Sequence, residues 1–226
     1  MKKGKSVALI DEVEVGPAVA DIVYDRIFGA IAAGKFAPGS QLTEQSLATA
    51  MNISKTPVRE AFLRLRQFGL LEAGGKRGYR VIKLSREALV ETMQMREALE
   101  VHLAFCAADS SVKGARDPIL KAAKASLRAA QAGDEAAFEL HDRNFHEAIS
   151  NTVSNEFIND QVKRCSIIIH TVIREELKPD LSKPITCAAQ HVRIAEAINQ
   201  GDTEHAAREM RVHLRDLHND ILAQLP

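Results

Sequence analysis

Asp142 and His146 stand four residues apart in LHDRNFHEAIS, residues 140–150. That spacing is just over one helical turn, so both side chains leave the same face, one above the other. A carboxylate and an imidazole so placed form half of a metal site, or an ordinary polar stripe facing water. The pair leaves both readings open, and further ligands from elsewhere would decide. His191 begins an apolar stripe with Ile194, Ala195 and Ile198, and His213 lies among Met210, Leu214 and Leu217. Both positions point to burial, and a buried imidazole needs a partner. Asp142, His146, His191 and His213 together give one carboxylate and three imidazoles from three segments. Such a set suits a divalent transition ion, Zn2+, Ni2+ or Mn2+. On an octahedral ion it leaves two positions for water or a bidentate carboxylate.

All eight histidines fall at or after position 102. His141 faces away from its neighbour Asp142, and His205 and His218 sit in charged surroundings, where a helical histidine is usually solvated. A metallo-enzyme with Glu147 as base is the rival from another class. His-Glu-Ala-Ile-Ser at 146–150 begins like a zinc-protease helix, but position 150 is Ser where the second histidine belongs, and no Ser–His or Cys–His nucleophile pair is evident. A non-enzymatic protein is expected.

The chain has 226 residues, 46% hydrophobic and 27% charged, with no apolar run long enough to cross a bilayer. Its basic start is followed at once by acids, which is no signal peptide. Cys106, Cys165 and Cys187 are odd in number and far apart, arguing for a reducing cytoplasm. The net charge of zero hides an asymmetry. Residues 16–82 hold nine Lys or Arg against five acids, and residues 83–226 hold 18 against 22. A basic front and an acidic rear suggest that the front meets a polyanion. Three parts are expected: a flexible tail over 1–15, a basic front domain over 16–82, and an all-helical rear domain over 83–226.

In the front, the spacing predicts a helix over 17–33 closed by Gly34, then a short helix capped by Thr43. A break at Met51-Asn52-Ile53 follows, with Asn52 suited to positive φ, and then a helix from Ser54 or Lys55 to about Phe68. Ser54 is placed to cap that helix, and Pro57 fits its first turn. Leu70–Ala73 and Tyr79–Ile82 read as strands joined by a Gly-rich basic loop, a wing. These are winged helix-turn-helix dimensions. Val58, Ala61, Phe62 and Leu65 form the inward stripe, leaving Lys55, Thr56 and Arg59 outward. In the major groove Arg59 would donate twice to a guanine edge, while Lys55 and Thr56 would meet phosphate or neighbouring bases. Lys76 and Arg77 on the wing would reach phosphates or the minor groove. The bland alternative is a solvated basic face. The rear predicts six helices, roughly 85–108, 116–132, 134–150, 155–177, 186–200 and 203–224, packed as an antiparallel bundle.

The stretch IAAGKFAPGSQLTEQSLATAMNISKTPVREAFLRLRQFGLLEAGGKRGYRVI resembles the GntR family of bacterial winged-helix repressors. The marks are G-x-x-x-P-G-x-x-L and S-K-T-P-V-R-E-A-F-x-x-L. The resemblance implies that Lys55, Thr56, Arg59 and the wing at Gly75, Lys76 and Arg77 touch operator DNA. Gln45 stands where many members carry a second arginine facing DNA, and Asn52 where glycine is usual. The rear is similar to the FadR-type C-terminal domain (FCD), through REALE at 96–100, DRNFHEAI at 142–149, QHVRIAEAI at 190–198 and MRVHL at 210–214. In metal-binding members an Asp and three His at these places hold the ion. The resemblance also implies a pocket for a small organic acid beside it, with Arg96 as the candidate to pair with the acid. A structural salt bridge from Arg96 to Glu100 is the equal alternative. The expected protein is a homodimeric repressor of a palindromic operator that answers to this effector. In the alternative reading the ion itself is the signal; a constitutive architectural binder is the third.

Overall fold

The computed structural model describes residues 19–75, 78–111, 114–176 and 183–224, apart from the side chains of 170–176. The tail over 1–15 and the wing residues Lys76 and Arg77 lie outside the described residues. The front builds α1 (Val19–Ala32), β1 (Gln41–Leu42), α2 (Glu44–Met51), α3 (Lys55–Phe68), β2 (Leu71–Ala73) and β3 (Tyr79–Val81). Local chemistry sets each boundary. The Thr43 side chain accepts from the Ser46 N–H at the start of α2, and α2 ends at Asn52 with φ 54° and ψ 47°. Asn52 is the one non-glycine residue at positive φ among those described. Its amide side chain makes the left-handed conformation tolerable. Ser54 takes the N-cap backbone geometry of α3, but its hydroxyl makes no capping bond.

The strands form an antiparallel sheet in the order β1-β3-β2. The β2–β3 hairpin is the expected wing; β1 is a third strand, paired through Gln41 with Arg80 and Leu42 with Tyr79. Two residues are too few to show alternation, so sequence reading had no period to detect. Val58, Ala61, Phe62 and Leu65 are all fully buried, in one core with Val23, Ile27, Ile31, Leu70 and Val81.

Six helices follow: α4 (Arg86–Asp109), α5 (Asp117–Ala132), α6 (Glu135–Thr152), α7 (Glu156–Glu176), α8 (Pro184–Gln200) and α9 (Thr203–Gln224). Ser85 and Asp134 cap α4 and α6 through their side chains. Gly133 and Gly201 close α5 and α8 at φ 70° and 75°. The chain is mainly helical, as the periodicity predicts. The bundle core runs through Leu103, Ile119, Phe145, Ile149, Ile194, Met210 and Leu214. Helix α4 packs on α9 and α7, while α5 packs on α6 and α8. Helix α7 also reaches forward: Ile168 is buried in the core of the winged helix, and Ile169 joins a smaller cluster with Leu89, Met93 and Ile221.

Candidate metal centre and nucleic-acid interface

Helices α6, α8 and α9 bring the predicted histidines together. His146, His191 and His213 are buried, and one ring nitrogen of each lies within 4.8 Å of the others. Their ring centroids are 4.7–5.4 Å apart. Asp142 enters from one side: its Oδ1 is 3.5 Å from His191 Nε2. It forms a second close group with His191 and Cys187, so His191 belongs to both.

The outer nitrogens are held. His146 Nδ1 meets Glu100 Oε2, His191 Nδ1 lies 3.2 Å from Ser126 Oγ, and His213 Nδ1 is 3.0 Å from Gln190 Oε1. Gln190 donates its amide to Asp216 at 2.6 Å, which turns its oxygen toward His213. An acceptor at Nδ1 keeps the proton there and leaves the Nε2 lone pair free, the state that binds a metal. His213 Nε2 is buried without a hydrogen-bond partner. A buried, unpartnered ring nitrogen beside two other imidazoles is what a cation would satisfy, so the three histidines fit a divalent transition ion, with Asp142 reaching the group through His191.

Electrostatics agree. Burial pushes His191 and His213 well below the usual imidazole range, so they stay neutral. Burial would raise the Glu100 carboxyl, but Arg96 and His146 outweigh it and hold the group well below the carboxylate range. Arg96 is 2% exposed and donates from Nε to Glu100 Oε1 at 2.5 Å. Its side chain thus takes the salt bridge weighed as the alternative to an effector contact. Glu100 links Arg96 to His146. Glu147, the base of the enzyme reading, is exposed. Sequence reading missed Ser126, Gln190 and Cys187, and it gave Glu100 only the arginine. His218, expected among solvated charges, is instead buried, and its Nε2 has no partner.

At the other end, Lys55, Thr56 and Arg59 are exposed along the first turns of α3, and Gly75 is exposed at the wing with φ 88°. Arg59 donates to Glu44 from Nε at 3.0 Å and from Nη2 at 2.9 Å. Its side chain is still 61% exposed. This side-on pairing uses two of the five guanidinium N–H groups and leaves the Nη1–Nη2 end free.

A three-helix winged unit with an exposed basic helix, joined to a helical bundle around buried imidazoles, has the architecture of a DNA-binding regulator. The chain belongs to the GntR family: residues 19–81 match the profile of bacterial regulatory proteins of the gntR family, and residues 91–216 match the FCD domain. It is 31% identical over 197 residues to a probable D-xylose utilization operon transcriptional repressor of Paenarthrobacter nicotinovorans, covering 87% of this chain and 85% of that one. It is 27% identical to the HTH-type transcriptional repressor RspR of Escherichia coli K12, covering 82% and 81%. The fold is similar to E. coli McbR/YncC, at TM-score 0.77 and 19% identity over 92% of this chain and 99% of that one. It is also similar to a GntR regulator of Rhodococcus sp. RHA1, at 0.78 and 21% over 92% and 100%. The two repressors are transcription regulators, not enzymes, and GntR regulators bind DNA. Among the described residues no helix is long and apolar enough to cross a membrane.

Proposed function

We propose that the chain is an effector-responsive repressor, with residues 16–82 reading DNA and residues 83–226 holding a divalent transition ion and the dimer contact. Asp142, His146, His191 and His213 would hold the ion, which supplies Lewis-acid positions to a small organic acid. The observation that carries this reading is the buried, unpartnered Nε2 of His213, facing His146 and His191. Glu100, Ser126 and Gln190 orient the three rings, so the donors are set before any ligand arrives. On the DNA side Glu44 holds Arg59 side-on, leaving its free end for the two acceptors of a guanine; Lys55, Thr56, Gly75, Lys76 and Arg77 position it through phosphates. A two-fold dimer would place two such helices on a palindrome. Effector binding then weakens operator affinity by a coupling of about 1–3 kcal/mol.

The test is metal content per chain, on protein purified without a metal-affinity tag, for wild type beside Asp142→Ala. About one transition ion per chain, lost or sharply reduced in the variant, is expected; metal-free wild type would overturn the site.

One observation favours the second reading, in which the ion is itself the signal. The guanidinium offered to an acid effector is buried and engaged by Glu100. Operator affinity that follows free metal with no organic ligand present would select this reading. Affinity that responds to a carboxylate at constant metal would select the first.

A further inference from the structure

Helix α7 faces two ways. Lys163, Arg164, Ile167 and Ile168 share one side of it, at the one- and four-residue steps of a helical face. That side meets the winged helix: Lys163 lies over the Phe28 ring, and Ile167 and Ile168 pack into the core built by α1 and α3. Val162 and Ile169 turn the other way, into the bundle. The buried Cys165 thiol between them is close enough to both Arg96 and Arg164 to feel their charges. Arg164 ends against the last turn of α3. Gly69 closes that helix at φ 83°, its N–H turned back to the carbonyls of Leu65 and Arg66. A Cβ on Gly69 would stand 2.6 Å from Cζ and 2.7 Å from Nε of Arg164. The guanidinium therefore lies across the backbone in space that only a glycine leaves. A cation there also meets the negative end of the helix dipole, so shape and charge both hold the contact.

We propose that Arg164 is a positioning residue for operator binding: through Gly69 it fixes the tilt of α3 on the bundle, and it touches no DNA. This role rests on α3 being the recognition helix, as read above. Arg59 stands about 15 Å up the same helix at 1.5 Å per residue, so a small tilt at the Gly69 end moves its guanidinium against the groove. The contact also gives the bundle a route to that helix. Glu100 holds His146, and Arg96 holds Glu100. Arg96 in turn acts on Cys165, the residue next to Arg164. A shift of Arg96 would reach α3 through one turn of α7.

The experiment measures the Kd of the full-length protein for a duplex that the wild type selects from a random-sequence pool, at several salt concentrations. Arg164→Ala is expected to weaken binding about fivefold or more, the scale of a coupling between sites, with the slope of log Kd against log salt unchanged. Arg164→Lys, which keeps a cation at the end of α3, should recover part of the loss. Arg59→Ala is the control for the recognition helix. Wild-type affinity in Arg164→Ala beside a weakened Arg59→Ala would overturn the positioning role and leave the recognition helix standing. It would do so even if the unfolding midpoint falls, since a merely structural contact moves the midpoint alone. Wild-type affinity in both variants would overturn both. A salt slope shallower by about one in Arg164→Ala would make Arg164 a phosphate ligand and overturn the proposal as well. If Arg164→Ala does not fold, Arg164→Gln carries the same readings.

Discussion

Arg59 reaches solvent with one edge of its guanidinium already on Glu44, so docking on a base freezes less of the side chain than it otherwise would. Arg59→Ala should lose specific operator binding while leaving the fold intact. A bidentate contact of this kind discriminates by about 1–3 kcal/mol per site. Glu44→Gln should keep the helix but loosen Arg59, narrowing the gap between operator and scrambled DNA. Fluorescence anisotropy on the two DNAs measures both, and unchanged specificity in Arg59→Ala would remove this residue from the interface. In the bundle, burial pushes His218 down to about 4, with Arg96 adding to the effect. In the unfolded chain the same imidazole titrates near 6.5 and binds a proton first as pH falls. The contribution of His218 is therefore complete above about 6.5 and is lost as pH drops toward 4. At about 1.4 kcal/mol per unit this amounts to a loss on the order of 2 kcal/mol by pH 5. His191 and His213 shift in the same direction. Urea midpoints at about pH 7.5 and pH 5 on chelated protein should show the drop, and His218→Gln should lessen it.

Helix α3 ends at Gly69, with φ 83°. A Cβ there would sit 2.2 Å from Arg164 Nη2 on α7. Gly69→Ala therefore meets a backbone penalty of about 1–2 kcal/mol as well as a displaced guanidinium, and should lower Tm by about 2–8 °C. Restoring space with Arg164→Ala should recover only part of this, because φ is unchanged. At this scale the sequence was most informative. Caps and C-terminal glycines act within four residues, so Thr43 and Asn52 marked the ends of α2, and the predicted rear helices end within a residue or two of those observed, where Ser85, Asp134, Gly133 and Gly201 are the caps. The apolar stripe of α3 likewise named its buried residues. The site was half legible. Asp142 and His146 share a turn, and the stripes beside His191 and His213 signalled burial. Glu100 on His146, Ser126 on His191 and Gln190 on His213 span 46, 65 and 23 residues. No periodicity carries a pairing of that range. Cys187 does carry a local signal, the four-residue step to His191.

Across the whole molecule, net charge is divided: residues 16–82 carry nine Lys or Arg against five acids, and residues 83–226 carry 18 against 22. Operator affinity should fall about a thousandfold or more between 50 and 200 mM salt if several phosphates are neutralised, and a log–log plot of binding against salt gives the number released. Chelation should lower Tm without abolishing the winged helix, because its core of Ile27, Phe62, Leu65 and Val81 contains none of the site residues; circular dichroism melts with and without chelator measure this. That core does contain Ile168 from α7, and Lys163 lies 5.2 Å from the Phe28 ring. The two halves are therefore not free cassettes. A chimera that grafts a relative's DNA-reading head onto this bundle would have to bring a socket for residue 168 and a glycine facing Arg164, or leave an aliphatic side chain stranded in water at the seam. Choice of crossover point, more than similarity of the heads, would decide whether such a hybrid folds.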